Sequence, residues 1–263
     1  MDNTLQTPTI LRSEYRPLAW RVDTVELDFR LDVADTLVTS RLACVRKPGV
    51  EGPLVLDGED LELVSLRIDG SDAGERMRRT ATGIELTPAA DAATIEIVTR
   101  VDPTANTTLS GLYASKGGLF TQCEAEGFRR ITYFPDRPDV MARYTVRLEA
   151  ERQTFPVLLS NGNLVDSGEL PGDRHYAVWE DPFPKPSYLF ALVAGELEAM
   201  ERTVETLSGR EVLLQVWVEP GNLDRAGHAM ESLVNALRWD EETFGLELDL
   251  DRFMIVVVAD FNM

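Results

Sequence analysis

Residues 25–33 read VELDFRLDV, in which every second side chain is apolar. The apolar members are Val25, Leu27, Phe29, Leu31 and Val33. Successive side chains of a β-strand point to opposite faces of its sheet, so this alternation indicates a strand with one face in a core and the other in water. The stretch therefore predicts a half-buried antiparallel strand.

The same period of two continues from Trp20 to about Val193, and it predicts a mainly β chain. Further strands are predicted at 61–68, 94–101, 144–150, 155–160 and 175–179. Turn sequences such as Asp57-Gly58 and Asn161-Gly162 separate them. The apolar phase slips between Leu63 and Leu66, which indicates a β-bulge. We expect an N-terminal twisted β-sheet or sandwich domain.

The pattern changes after residues 181–186, DPFPKP, where three prolines stiffen the chain and exclude helix. We place a domain boundary near Gly195, which gives predicted domains of residues 1–194 and 195–263. The second domain contains a predicted strand at 212–218, a helix over 223–244 and an apolar run at 253–258. This order predicts the first α/β elements of a second domain.

The predicted helix has Asn222 as its N-cap and Gly245 just past its end. Its apolar stripe predicts a core face, with His228 on the solvent side. The stripe is formed by Ala226, Met230, Leu233, Val234, Leu237 and Phe244. The unbroken run FMIVVV at 253–258 is typical of a strand that is covered on both faces.

Charge limits the possible partners. Forty-five acidic and 26 basic side chains give the 263 residues a formal charge of -19. Such a chain repels phosphate backbones and anionic lipid heads, so we expect neither nucleic acid nor a membrane as a partner. An acidic face would attract cationic ligands such as free peptide amino termini, but the same acidity would also serve solubility alone. Charge does not choose between these interpretations.

The sequence predicts a cytoplasmic protein. We find no apolar run at the N terminus of the length of a signal peptide, and no window approaches a membrane span. Cys44 and Cys123 are the only cysteines, and we expect both to be free thiols. Cys123 is expected to pack beneath the charged segment that surrounds it.

Several catalytic motifs are absent from the sequence. It contains no phosphate-binding G-x-x-x-x-G-K-[ST], no G-x-G-x-x-G, no G-x-S-x-G and no paired cysteines at zinc spacing. The only histidines, His175 and His228, lie far apart. Because a protein zinc site needs three or four ligands, we expect none built from this chain alone.

Residues 121–139, TQCEAEGFRRITYFPDRPD, crowd carboxylates, arginines and aromatics into a segment too irregular for a core strand. One interpretation is a solvated connection held by weak local ion pairs. The other is that one carboxylate points into a cleft and binds a cation, since a charge-assisted hydrogen bond contributes roughly 1.5 to 3 kcal/mol. Residue types alone leave both interpretations open.

This segment is similar to one in the gluzincin aminopeptidases, in which T-Q-x-E leads through an arginine pair to D-x-P. The corresponding residues are Thr121, Gln122, Glu124, Arg129, Arg130, Asp136 and Pro138. Other stretches resemble the bacterial aminopeptidase N branch of that family: SNGNLVDSGEL from Ser160, DPFPKPSYLFALVAGELE from Asp181, SGREV from Ser208, GNLDRA from Gly221 and WDEETFGLELDLD from Trp239. The resemblance extends from about residue 15 to residue 263.

The resemblance implies a β domain seated on a thermolysin-like catalytic domain, and the removal of single residues from the N termini of peptides. Glu124 would bind the α-amino group of the peptide substrate, and Gln122 would line the S1 pocket for the first side chain. Met263 stands directly before the position of the family's G-A-M-E-N motif and would cushion the same pocket.

The family's cofactor is zinc, held by an H-E-x-x-H helix and a distant glutamate that this sequence lacks. The resemblance therefore implies an N-terminal portion that is inactive alone and has the remainder of the catalytic domain as its partner. The alternative is a short, non-catalytic acidic β module that binds a protein or a basic peptide. The apolar run at 253–258 counts against this alternative, because it would be poorly covered.

Overall fold

The structure, a computed structural model, describes residues 11–259. These residues form 18 strands, one α-helix and five short 3-10 turns. The strands are β1 (Trp20–Arg30), β2 (Thr36–Arg46), β3 (Leu54–Asp57), β4 (Glu62–Ile68), β5 (Ser71–Asp72), β6 (Met77–Arg79), β7 (Gly83–Leu86), β8 (Ala92–Val101), β9 (Gly111–Ser115), β10 (Gly118–Gln122), β11 (Ala142–Glu151), β12 (Val157–Ser160), β13 (Asn163–Leu170), β14 (Arg174–Lys185), β15 (Leu192–Gly195), β16 (Glu198–Glu205), β17 (Glu211–Val218) and β18 (Arg252–Val257), and the helix is α1 (Gly227–Phe244).

The largest sheet has eight strands in the order β13-β14-β11-β1-β2-β8-β4-β5. Strand β1 lies inside it, parallel to β11 on one side and antiparallel to β2 on the other. Phe29 of β1 stands beside Leu148 and Val38 in these two ladders. The alternation predicted for β1 is confirmed up to Arg30, because Val25, Leu27 and Phe29 are buried whereas Glu26 and Arg30 are exposed. It is wrong at Val33, which lies beyond the end of β1 and is 39% exposed.

The bulge predicted between Leu63 and Leu66 is also confirmed. The register of β4 against β8 shifts between Leu63 and Ser65. A bulge places one extra residue on one strand, so the apolar phase changes while the pairing continues. The predicted strand at 155–160 is shorter in the structure, since β12 begins at Val157 and Phe155 is buried just before it.

Two smaller sheets, β12-β15-β10-β9 and β3-β7-β6, share a continuous hydrophobic core with the eight-stranded sheet. Aromatic rings form the middle of this core. Phe29 stacks on Phe190 with centroids 5.9 Å apart, and the edge of Phe128 meets Phe190 at 5.3 Å and Phe134 at 5.1 Å. The segment that follows β10 is thus part of the core, which corrects the expectation that residues 121–139 are too irregular to pack there.

The third small sheet has the order β16-β17-β18, with β17 and β18 parallel and α1 between them in the chain. Its core is separate and contains side chains of β17 and of α1, including Val216, Met230 and Val234. Strand β15, which ends at Gly195, belongs to the four-stranded sheet, whereas β16, which begins at Glu198, belongs to this sheet. The domain boundary near Gly195 stays a prediction, which the change of sheet supports.

Two details predicted for the helix are wrong. Residues Leu223–Arg225 form a 3-10 turn, and α1 begins only at Gly227 without a side-chain cap, so Asn222 is not its N-cap. Phe244 is exposed at the end of the helix, where its ring meets Trp239 edge-on at 5.1 Å. The exposure of His228 and the left-handed Gly245 after the helix are confirmed.

All of the run FMIVVV except its last residue lies in β18, as predicted, but not one of the six residues Arg252–Val257 of this strand is buried. Phe253 is 39% exposed and Val257 49% exposed. Within the described part of the chain the run is therefore poorly covered, as predicted, although its composition is typical of a strand covered on both faces. The reason is that β18 is an edge strand, paired only with β17 among residues 11–259.

Candidate functional site

The charged segment connects β10 to β11 and has an exposed part and a buried part. Its first residue, Thr121, is fixed to β15, because its hydroxyl accepts a hydrogen bond from the Leu192 N–H at 2.8 Å. Glu124, Ala125 and Glu126 then lie on the surface. From Gly127 onward the chain turns into the core, where all six residues 131–136 are buried.

The exposed part is a tight turn, held at both ends. The Gly127 N–H donates to the Cys123 carbonyl at 2.8 Å, which closes the turn. The side-chain amide of Gln122 donates to the Glu124 carbonyl at 3.1 Å, and the peptide bond between Glu124 and Ala125 is cis. The sequence-predicted pair Gln122 and Glu124 is thus brought together, through the backbone of one and the side chain of the other.

Gly127 is required for a steric reason. Its φ is not positive, but a Cβ there would lie 2.3 Å from the Gln122 carbonyl oxygen and 2.9 Å from the Gly111 nitrogen. Real Cβ atoms do not approach backbone atoms this closely. Only glycine lets the turn close against the β9–β10 hairpin.

The carboxylates of Glu124 and Glu126 differ in their contacts. The Glu126 carboxylate lies 3.4 Å from the Arg129 guanidinium. The Glu124 carboxylate is exposed, and no hydrogen bond or ion pair to it occurs among residues 11–259. A carboxylate that is held on a fixed turn without a protein partner can accept hydrogen bonds from a cationic ligand.

The buried part is organised around Asp136, which is 2% exposed. One carboxylate oxygen accepts from the Arg129 main-chain N–H at 3.1 Å and from its Nε at 3.2 Å. The other oxygen accepts from the Ser187 hydroxyl at 2.6 Å. Phe134 forms a two-way backbone bridge with Asp57, whose carboxylate also accepts from the Asp136 N–H at 3.1 Å.

The remaining charges of the segment pair near the surface. Arg130 donates to Asp60 at 2.7 Å and also pairs with Glu59. Asp139 accepts from Arg137 and from the Tyr15 hydroxyl, the latter at 2.7 Å. Burial raises the pKa of Asp139, but the hydrogen bonds from Tyr15 and Arg137 outweigh this effect, so that its pKa lies below the usual range. The interpretation as a solvated, ion-paired connection is correct for these outer residues.

Both cysteines are buried free thiols, as predicted. Burial raises the pKa of Cys44 to about 12 and raises that of Cys123 as well. A thiol with a raised pKa is a poor nucleophile at neutral pH, because the thiolate is the reactive form. Cys123 therefore packs beneath the turn, as the sequence indicated.

The described residues do not provide a metal centre. Within residues 11–259 no group of three or more histidine, cysteine, aspartate or glutamate side chains is arranged to hold a metal ion. His175 is buried, and its Nε2 lies 2.7 Å from the Phe155 carbonyl oxygen, so it has a structural partner. No helix in the described part of the chain has the length and apolarity of a membrane span.

Sequence reasoning singled out Glu124, Gln122 and Met263. Met263 lies outside the described residues, so its role stays a prediction. The importance of Ser187 was missed, although the DPFPKPS motif that contains it was noted. A buried aspartate placed one residue before an arginine offers no signal that its partner lies 51 residues further along the chain.

The fold and the turn define a mainly β domain that presents a solvent-facing carboxylate at a fixed position. A family model described as the peptidase M1 N-terminal domain matches residues 27–189, which is more than half of the chain. The chain belongs to this family.

Curated relatives support the assignment. The chain is 53% identical over 252 residues to aminopeptidase N of Caulobacter vibrioides, covering 95% of this chain and 29% of that protein. It is 48% identical over 260 residues to aminopeptidase N of Escherichia coli strain K12, covering 99% of this chain and 30% of that protein. The chain thus spans about three tenths of the length of these relatives.

A solved structure agrees in fold. The crystal structure of Legionella pneumophila aminopeptidase A in complex with aspartic acid superposes with a TM-score of 0.89 at 37% sequence identity. The match covers 95% of this chain and 30% of that chain. The mainly β fold class predicted from the sequence is confirmed.

Proposed function

We propose that this chain is the N-terminal portion of a zinc aminopeptidase that releases single residues from the N termini of peptides. Its contribution is recognition of the substrate's α-amino group by Glu124, beside an S1 pocket that Gln122 and Met263 help to line. The observation that carries the proposal is the exposed Glu124 carboxylate, held on a closed turn without a partner among the described residues. The similarity to aminopeptidases over nearly the whole chain supports it.

A carboxylate suits this task because a peptide's free N terminus is a cation with three N–H donors. A charge-assisted hydrogen bond to such a group contributes roughly 1.5 to 3 kcal/mol. A peptide with a blocked N terminus lacks the charge and loses this contribution. Fixing the amino group would also place the first peptide bond, and no later one, at the reacting centre.

The metal chemistry of the proposed activity lies outside the described residues. Those residues do not fit a zinc ion, since no set of three ligands converges among them. We propose that zinc, as the resemblance implies, is held by the remainder of a catalytic domain, which would be this chain's partner. Peptides with free N termini are the proposed substrates, and the cytoplasm is the proposed location.

The test uses an aminopeptidase-length polypeptide that carries residues 1–263 at its N terminus. We expect Glu124→Gln to lower kcat/KM for an alanine anilide by about 10- to 100-fold, as loss of a charge-assisted bond predicts. The matched control is Glu26→Gln, which removes the same charge from an exposed position on β1. Equal kinetics for Glu124→Gln and the parent would refute the assignment.

The alternative, a non-catalytic acidic module, is not favoured. The relatives that match nearly the whole chain are aminopeptidases, and the match extends over both the β region and the β16–β18 region.

A further inference from the structure

We infer that Asp136 is a positioning residue for the turn formed by residues 123–127, which we call the recognition turn. Asp136 holds the segment that presents Glu124, through Arg129 on one side and Ser187 on the other. The inference rests on the proposed function of Glu124. It assigns a role to a carboxylate that cannot itself contact a substrate, since it is 2% exposed.

Each polar atom of Asp136 has a partner. Its carboxylate receives three hydrogen bonds, two from Arg129 and one from Ser187. Its N–H donates to Asp57, and its carbonyl oxygen accepts from the Arg129 guanidinium at 3.0 Å. A buried charge is tolerated only when it is paired and hydrogen-bonded, so this set of contacts specifies one arrangement of the segment.

The contacts of Asp136 involve a residue close to the turn. Arg129 follows Gly127, the residue that closes the turn on Cys123, by only two positions. The Arg129 guanidinium also lies 3.4 Å from the carboxylate of Glu126, which directly follows the exposed Glu124–Ala125 peptide bond. Glu124 therefore lies between two fixed points, the Gln122 amide before it and the Arg129–Asp136 pair after it.

Ser187 connects this arrangement to a distant part of the chain. It begins the 3-10 turn Ser187–Leu189 directly after the proline-rich stretch, and it is 1% exposed. Its hydroxyl donates to Asp136 at 2.6 Å. The DPFPKPS motif thus has a physical role, which is to fix the carboxylate that orients Arg129.

Loss of the Asp136 charge should loosen the turn without removing Glu124. A ligand's amino group would then meet a carboxylate that samples several positions, and misplacement by about 1 Å is enough to lower activity strongly. The effect should appear mainly in KM for substrates with a free amino group. It should disappear when Glu124 no longer carries a charge.

The experiment is a double-mutant cycle in the aminopeptidase-length polypeptide, with kcat and KM measured on an alanine anilide. We expect Asp136→Asn to raise KM about 10-fold with a smaller change in kcat. In the Glu124→Gln background, the same substitution should change kcat/KM by less than 2-fold. Ser187→Ala removes one of the three hydrogen bonds to the Asp136 carboxylate and should raise KM by about 3-fold. This variant replaces Asp136→Asn in the test if Asp136→Asn does not fold.

The matched control is Glu149→Gln. Glu149 on β11 also accepts hydrogen bonds from two arginines, Arg147 at 2.9 Å and Arg174 at 2.8 Å, but it lies outside the recognition segment. We expect it to lower the thermal midpoint without changing KM.

Two results would overturn the inference while leaving the proposed function intact. One is that the Asp136→Asn variant has the same KM as the parent, although the Glu124→Gln variant has a lowered kcat/KM. The other is additive losses in the double variant, which would mean that Asp136 acts on stability alone. If Glu124→Gln itself has no effect, the proposed function fails first and the positioning role fails with it.

Discussion

Strands β1 and β18 are both rich in apolar residues, yet their environments are opposite. In β1 charged residues interrupt the apolar ones at every second position, and Phe29 is 0% exposed. In β18 the apolar run is unbroken, and Phe253 is 39% exposed. The strand with the more hydrophobic sequence is therefore the less buried one.

The difference follows from the neighbours of each strand. β1 has a paired strand on both edges and a second sheet over its apolar face. β18 has one paired edge among residues 11–259. Met254 and Val256 pack against the main core and Ile255 against the second core, but grooves of about 240 and 330 Å³ also border the strand. An unbroken apolar run indicates that a strand needs other segments packed on both of its faces. Whether the strand is buried depends on which segments pack there.

The largest effect should come from the same substitution in the two strands. We expect Phe29→Ala to lower the free energy of unfolding by about 3 to 5 kcal/mol, because it leaves a cavity beside Phe190. Phe253→Ala should cost only about 1 kcal/mol, since this residue is already 39% exposed. Denaturant unfolding followed by circular dichroism measures both. Equal losses would show that β18 is as well covered as β1.

A smaller, pH-dependent effect should distinguish the charges of the two sheets. Burial raises the pKa of Glu149, but hydrogen bonds from Arg174 and Arg147 outweigh it, and the net pKa lies below the usual value. A lowered folded-state pKa contributes stability above the unfolded-state pKa of about 4.3, and the contribution is lost as the pH falls through the folded-state pKa. Glu149→Gln should thus cost about 1 kcal/mol at pH 7 and less at pH 3.

The control for this prediction lies on α1, which packs on the sheet that contains β18. Glu231 pairs with Arg202 at 2.6 Å, but both side chains are largely exposed. Exposed pairs contribute little because water and salt screen them, so Glu231→Gln should leave the unfolding curve unchanged at either pH. A cost for Glu149→Gln that is undiminished at pH 3 would show that its charge is not the cause.

The smallest effect on stability is expected for Val257→Thr. Val257 is 49% exposed, so a hydroxyl there faces water, and the unfolding free energy should change by less than about 0.5 kcal/mol. An exposed apolar edge strand promotes association, and the variant should therefore scatter less light on heating than the parent. Unchanged scattering would indicate that the β18 edge does not drive association of this chain.

Much of the architecture could be predicted from local patterns. The alternation in β1, the bulge in β4 and the glycine that ends α1 each follow from residues adjacent in the chain. The predicted N-cap was wrong because Asn222 precedes a separate 3-10 turn. Phe244 was misplaced because it is the last residue of α1, where its ring packs on the exposed Trp239 and not in the core.

The site was predictable only in part. The resemblance indicated Glu124 and Gln122, and the structure shows how the backbone brings them together. The burial of residues 131–136 could not be predicted, because it depends on Asp57 and Ser187, which lie far away in the sequence. Charged residues such as Asp136 look solvated until their partners are known.

The long-range contacts of Asp136 also determine when the recognition turn can form during folding. Two of its partners, Asp57 and Ser187, lie 79 residues earlier and 51 residues later in the chain. Contacts of such high sequence separation form late, because the entropy of closing long loops must be overcome first. A chain emerging from the ribosome would therefore carry Glu124 before that residue has its final orientation, and the amino-terminus binding proposed for Glu124 would require the completed β domain.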